Sequence, residues 1–138
     1  KCIFCDMIQQ EIAVEKRVVI STERFIAFMP FASRFPFEIW ILPTAHGSHY
    51  ENQEEGEIEE LAEILKNTLV KLESVLDFPP YNFIIHSTPF NIHKSEYFHW
   101  HIEIIPRLTN IAGFEWGTGF YINPMPPEEA AEILRKNE

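Results

Sequence analysis

Ten residues, Phe98-His99-Trp100-His101-Ile102-Glu103-Ile104-Ile105-Pro106-Arg107, constrain the fold of this chain more than any other stretch. An extended strand sends successive side chains to opposite faces. Read that way, Phe98, Trp100, Ile102 and Ile104 point into an apolar layer, while His99, His101 and Glu103 stand side by side on the other face. Two imidazoles and a carboxylate in a row are badly matched to a plain core. Histidine is the commonest metal ligand and a frequent acid, base or nucleophile. His99 is therefore expected to close a metal site with distant residues, and His101 beside it to be the place of any phosphoryl chemistry.

The rest of the chain supplies partners for such a strand. Arg17–Ser21, Arg24–Met29, Phe37–Leu42 and Tyr81–His86 also read as strands, and Tyr97–Ile105 contains the histidines. Met7–Glu15 is a short turn or helix. Gly56–Leu76 is the long helix, with Ile58, Leu61, Leu65, Leu69, Leu72 and Leu76 as an apolar stripe at spacings of three and four. A last helix begins near Pro127, with Glu128 and Glu129 in its first turn and Arg135 and Lys136 in its last. Gly113, Gly117 and Gly119 break up the intervening stretch into turns that carry aromatic side chains. Short connections between strands imply an antiparallel sheet. The expected fold is α+β, one domain over residues 1–138, with the long helix packed on one face and a short C-terminal helix.

Composition narrows the function. An apolar fraction of 46% suits a globular chain, and a formal charge of −10 argues against a nucleic-acid surface, which needs a basic stripe. Much of the acid lies in one run, Glu51 to Glu63, read as a solvated helix face. No apolar run approaches the ~20 residues of a membrane span, and no secretory signal is visible. The expected location is cytoplasmic. The motif of Cys2 and Cys5 begins at once after Lys1, with no initiator Met, which reads as the interior of a longer chain.

Cys2 and Cys5 are too close for a good structural disulfide and suit half of a metal site. With His46, just beyond the third strand, and His99 they make two thiolates and two imidazoles, a set that zinc favours. Four protein ligands would make the site structural. Two other readings stay open on residue types alone. In one, the cysteines are free thiols and His46 a surface residue. In the other, His86, His99 and His101 hold the ion and leave the cysteines unexplained.

These residues resemble the histidine-triad superfamily, through Cys2-Ile3-Phe4-Cys5, Leu42-Pro43-Thr44-Ala45-His46 and the segment from His99 to Arg107. The resemblance implies zinc (Zn2+) at Cys2, Cys5, His46 and His99. A narrower resemblance covers nearly the whole chain. Phe35-Pro36-Phe37-Glu38, Tyr81-Asn82-Phe83, His86-Ser87-Thr88-Pro89-Phe90, Gly113-Phe114-Glu115, Gly119 to Pro124 and Pro127 to Ala131 are similar to the C-terminal half of galactose-1-phosphate uridylyltransferases. Those enzymes are two fused histidine-triad-like halves, and a related branch acts on ADP-glucose. The resemblance implies transfer of a nucleoside monophosphate between a nucleotide sugar and a sugar 1-phosphate through a covalent nucleotidyl-histidine, in a homodimer of the full-length chain.

Two departures qualify that implication. The family nucleophile lies in a His-Pro-His of the N-terminal half, and here Trp100 stands where that proline would be. Glu103 replaces the third histidine. His101 thus sits at the superfamily's nucleophile position but in the half the resemblance marks as non-catalytic. In relatives whose second half lacks the cysteines, the residues matching His86, His99 and His101 hold the ion. Expected substrate contacts are Glu103, His86, Asn82 and Phe120, the last from the aromatic segment Glu115–Tyr121 that in the family helps bind sugar nucleotide across a dimer interface. Ser87, Thr88, Asn91 and Lys94 are further loop donors for phosphate. Three functions follow: the zinc-binding C-terminal domain of such a transferase, a free-standing nucleotide hydrolase or transferase using His101, and a non-enzymatic zinc-stapled dimerisation module.

Overall fold

Phe25-Ile26-Ala27-Phe28 is apolar at four consecutive positions, which suits a strand covered on both faces, and all four residues are buried. It forms β2 in the computed structural model, which describes residues 1–137. The other elements are α1 (Ile3–Val14), β1 (Val18–Ser21), β3 (Ile39–Pro43), α2 (Glu55–Leu76), β4 (Tyr81–His86), β5 (His101–Pro106), α3 (Gly113–Thr118) and α4 (Pro127–Lys136). One turn of 3-10 helix spans Tyr50–Asn52. The five strands make one antiparallel sheet in the order β1-β2-β3-β5-β4. This is the expected α+β architecture. Among the described residues no helix is long and apolar enough to cross a membrane.

The two sheet faces bury different layers. Phe25, Ala27, Ile39, Ile41, Trp100, Ile102 and Ile104 meet α2 and α4 in the main core. Ile26, Phe28 and Leu42 meet α1 on the opposite face, with Phe4, Met7 and Trp40 beside them. On α2 the deepest residues are Leu61, Ile64, Thr68 and Leu72. The stripe is therefore centred on Ile64 rather than on the leucines alone, and Ile58 is exposed. Thr68 lies in an apolar layer because its hydroxyl donates to the Ile64 carbonyl, 2.7 Å away.

The two sheet edges are treated differently. At β1, Arg135 of α4 donates to the carbonyls of Val18, Lys16 and Glu15, which covers the edge with a charge. Beside it, a buried guanidinium joins α1 to α4: Arg17 Nε is 2.9 Å from Glu11 Oε1 and Nη1 is 2.7 Å from Glu128 Oε1. At β4 no side chain among the described residues plays the part of Arg135, and Tyr81, Phe83, Ile84 and Ile85 are exposed.

Three local expectations are corrected. The histidine strand begins at His101 instead of Tyr97, because Trp100 N–H already donates to the Gly47 carbonyl (2.9 Å) and the Ser95 hydroxyl holds the Phe98 N–H (3.1 Å). The chain turns there, so Phe98 leaves the core face; its ring lies 5.7 Å from Phe4 and 6.0 Å from His101. The short turn or helix read over Met7–Glu15 begins earlier, as α1 from Ile3 with Cys2 at its N-terminus. Residues 113–118 form a helical turn and a half, closed by Gly119 at φ 74°, a left-handed stop that glycine adopts at low cost.

Candidate metal centre and the adjoining histidine cluster

Cys2 stands at the N-terminus of α1 and Cys5 one helical turn later, which sets both sulfurs on one side. His46 comes from the loop after β3. Gly47 beside it lets this loop approach the core, since a Cβ there would lie 3.3 Å from the Trp100 indole nitrogen. His99 comes from the turn before β5 and is fully buried. The four ligand atoms all lie within 4.8 Å of one another.

The ring orientations show what this group can do. Cys5 Sγ is 3.4 Å from His46 Nδ1 and 3.5 Å from His99 Nδ1. The far nitrogens meet backbone carbonyls: His46 Nε2 donates to Ser95 O at 3.0 Å, and His99 Nε2 to Pro43 O at 2.8 Å. A carbonyl only accepts, so each Nε2 carries the proton and each Nδ1 turns a lone pair toward the sulfurs. A tetrahedral centre with bonds of about 2.3 Å to sulfur and about 2.0–2.1 Å to nitrogen has N···S edges of about 3.6 Å. The residues therefore fit a four-coordinate metal. Burial, then the hydrogen bond and charge of Cys2, push the Cys5 thiol up to about 11, so two thiolates side by side call for a cation. Burial holds the His99 ring down at about 4, which keeps it neutral.

A second group assembles on the same face. His86 pairs with His101 in the β4–β5 register, and Ile84 with Glu103. His101 is 5% exposed. Its ring is stacked between Trp40 (5.1 Å, 29°) and His86 (4.6 Å, 22°), with Phe4 at 4.9 Å. Its Nδ1 donates to the His99 carbonyl at 3.0 Å, leaving Nε2 as the bare nitrogen. Burial lowers its pKa, against the opposing pull of the His99 carbonyl, with the neighbouring His86 adding to the lowering and Glu103 resisting it. Glu103 accepts from His86 Nε2 at 3.0 Å and from Arg34 Nη2 at 3.2 and 3.3 Å.

Arg34 comes from the loop between β2 and β3. Glu38, buried at the end of that loop, accepts from the backbone N–H of Arg34 (2.7 Å) and Phe35 (3.4 Å) and from the Trp40 indole (3.2 Å). Phe37 takes a left-handed conformation (φ 59°), a costly one for such a residue, to close the turn. The Arg34 guanidinium lies 5.8 Å from the Phe35 ring and 5.9 Å from that of Tyr121.

The structure thus brings Cys2, Cys5, His46 and His99 into one group and His86, His101 and Glu103 into another. The rival set His86, His99 and His101 is split, because the His99 lone pair faces the sulfurs. Asn82 shares the face of Glu103 but sits opposite Ile105, exposed, near the far end of β4. Phe120 is 72% exposed; its neighbour Tyr121 is the residue that packs on Phe35, at 5.1 Å. Sequence reasoning gave no role to Arg34, Glu38 or Trp40, and took Tyr121 only as part of the aromatic segment Glu115–Tyr121. The available signal was Glu38, an acid at the head of an apolar strand, which needs donors such as an arginine four residues before it.

Comparison with known proteins places this geometry. Residues 1–136 match the family model for the galactose-1-phosphate uridyl transferase C-terminal domain. An ADP-glucose phosphorylase of Arabidopsis thaliana is 37% identical over 138 residues, covering 99% of this chain and 38% of that relative. A galactose-1-phosphate uridylyltransferase of Thermotoga maritima is 38% identical over 146 residues, covering 100% of this chain and 45% of the relative. The crystal structure of the Arabidopsis ADP-glucose phosphorylase with bound ADP-glucose superposes with a TM-score of 0.89 at 38% identity, over 100% of this chain and 44% of that one. A zinc-bound histidine triad family protein of Mycobacterium smegmatis shares the fold at TM-score 0.68 and 16% identity, over 99% of this chain and 92% of that one. The chain spans less than half the length of the two curated relatives named here. It belongs to the galactose-1-phosphate uridyl transferase family, as a representative of that family's C-terminal domain.

Proposed function

We propose that this chain is the C-terminal half of a nucleotidyltransferase of the galactose-1-phosphate uridylyltransferase type, which moves a nucleoside monophosphate between a nucleotide sugar and a sugar 1-phosphate. The observation that carries this reading is the state of His101. An imidazole 5% exposed and stacked between two rings is built as part of a wall. It supports a pocket whose covalent histidine comes from another segment. The bare, apolar β4 edge supports a second half of similar fold beside it. Zinc at Cys2, Cys5, His46 and His99, with every position filled by protein, staples α1, the loop after β3 and the turn before β5, and serves the fold. Full-length chains pair as a homodimer.

The test is complementation. This chain alone, incubated with ADP-glucose or UDP-glucose and a sugar 1-phosphate, gives no transfer. Joined to the N-terminal remainder of the Thermotoga maritima relative, it supports transfer above that of either part. Accumulation of a nucleotidylated form of this chain alone contradicts the reading. That outcome is the mark of a second one, in which His101 is the nucleophile, favoured by its bare Nε2. His101→Ala then abolishes nucleotidylation, whereas His99→Ala acts through loss of metal and fold.

A further inference from the structure

Two imidazoles and one carboxylate within reach of a common point are the usual makings of an open cation site. In the cluster of His86, His101 and Glu103 a cation is already present. One nitrogen of Arg34, Nη2, spans both oxygens of Glu103, and its approach to Glu38 Oε1 is 3.5 Å. The guanidinium is a planar fork with five N–H donors, and these contacts use one nitrogen. Nη1 and Nε have no hydrogen-bond partner among the described residues, and the side chain is 42% exposed. The rings of Phe35 and Tyr121 flank it.

We propose that Arg34 is the built-in cation of this cluster, and that its outward edge between Phe35 and Tyr121 is an oxyanion site for a phosphate ester. The proposal rests on the proposed function only for the choice of a phosphate ester as the ligand. Three features prepare the site. Glu38 holds the loop through backbone N–H groups and the Trp40 indole, so its carboxylate fixes Arg34 in place. Asn123 donates to the carbonyls of Ser33 (3.3 Å) and Phe35 (3.4 Å), tying the segment that carries Tyr121 to the same loop. Glu103 is drawn back by His86 on its other side. A guanidinium so held loses little freedom when it binds, and the N–H groups of Nη1 and Nε remain to donate singly to phosphate oxygens. In a chain of net charge −10, a fixed guanidinium with donors turned outward is where a phosphate finds both charge and geometry.

The experiment uses the zinc-loaded chain, with UMP and inorganic phosphate as probes in calorimetry and zinc stoichiometry as a second readout. The wild-type chain binds UMP saturably, and Arg34→Ala weakens binding by about tenfold or more, as expected for loss of a charge-assisted pair. Glu103→Gln keeps the shape, frees Arg34 of its counter-charge and tightens UMP binding. After dialysis against excess zinc the wild-type chain keeps one ion, Arg34→Ala takes up a second, and the double variant Arg34→Ala/His86→Ala returns to one. Absence of UMP and phosphate binding by the wild type, unchanged affinity in Arg34→Ala, weaker binding in Glu103→Gln, two ions in the wild type, or one in Arg34→Ala would each overturn the proposal. Should Arg34→Ala fail to fold, Glu103→Gln decides alone. Loss of transfer in the joined halves with UMP binding intact counts against the proposed function and leaves this site standing.

Discussion

Two clusters lie on either side of Trp100, and they solve the same electrostatic problem in opposite ways. In the first, His99 joins Cys2, Cys5 and His46, whose lone pairs and sulfurs converge on one point, and among the described residues no Lys or Arg hydrogen-bonds to them. In the second, His101 lies beside Glu103, whose charge is met by Arg34 and by a donated His86 N–H. Each has one buried histidine, His99 or His101, whose pKa burial lowers. What differs is whether a side chain supplies the cation. Proximity of metal-ligating residues therefore says less than the charge around them.

Removing the ion from the first cluster is the most forceful way to test that contrast. Structural zinc sites contribute about 10–16 kcal/mol in small zinc-binding peptides, against a total stability of about 5–15 kcal/mol for a domain. Chelation, or Cys5→Ser, is therefore expected to abolish the cooperative thermal transition, while Glu103→Gln leaves the zinc content unchanged. Equal zinc loss in both variants would break the distinction between the clusters.

Trp100 should be next in size. It is fully buried, with Phe25 at 6.1 Å and Tyr50 at 5.2 Å, and it sits between the two histidines in the chain. Trp100→Ala is expected to cost about 3–5 kcal/mol in denaturant titration and to weaken zinc retention as well. Retention unchanged at such a cost would show that the two clusters do not share this support.

Acid sharpens the comparison further. The folded pKa values of His99, at about 4, and of His101 lie below the ordinary value, so below about pH 6.5 the unfolded chain binds protons that the folded chain refuses. Stability is full above about pH 6.5 and falls as the pH drops toward 4, by up to about 1.4 kcal/mol per pH unit for each ring. Competition of protons with zinc steepens the fall. Urea titrations from pH 7.5 down to 5 read it directly, and a flat profile would mean that the rings accept protons within the fold.

Arg34→Ala should cost only about 1 kcal/mol in thermal stability, because the guanidinium is partly exposed and water screens what it leaves behind. Phe120→Ala should fall within about 0.5 kcal/mol, since the ring is 72% exposed. A large loss on changing Phe120 would place it in a packed interface of this chain with another.

The alternation of the histidine strand was legible from Trp100 onward, because Trp100, Ile102 and Ile104 do form the core face. It failed at Phe98, where a serine side chain turns the backbone and strand geometry no longer holds. The long helix was legible from its stripe, but its centre lies at Ile64, and buried Thr68, whose hydroxyl donates to the Ile64 carbonyl, could not be read as core from its polarity. The Arg34–Glu103 pair was not legible. The residues are 69 positions apart, and they meet because β3 and β5 are neighbours in the sheet, an order that local patterns do not encode. Residues 113–118 read as turns because their glycines disfavour a helix; Glu115 overrides them by accepting the N–H groups of Ala112 and Ile122.

X-ray absorption at the zinc edge on the purified chain tests the central claim most directly. The account expects one zinc per chain with two sulfur neighbours at about 2.3 Å and two nitrogen neighbours at about 2.0–2.1 Å. A shell of nitrogen and oxygen alone, or a chain that carries no zinc, would contradict it.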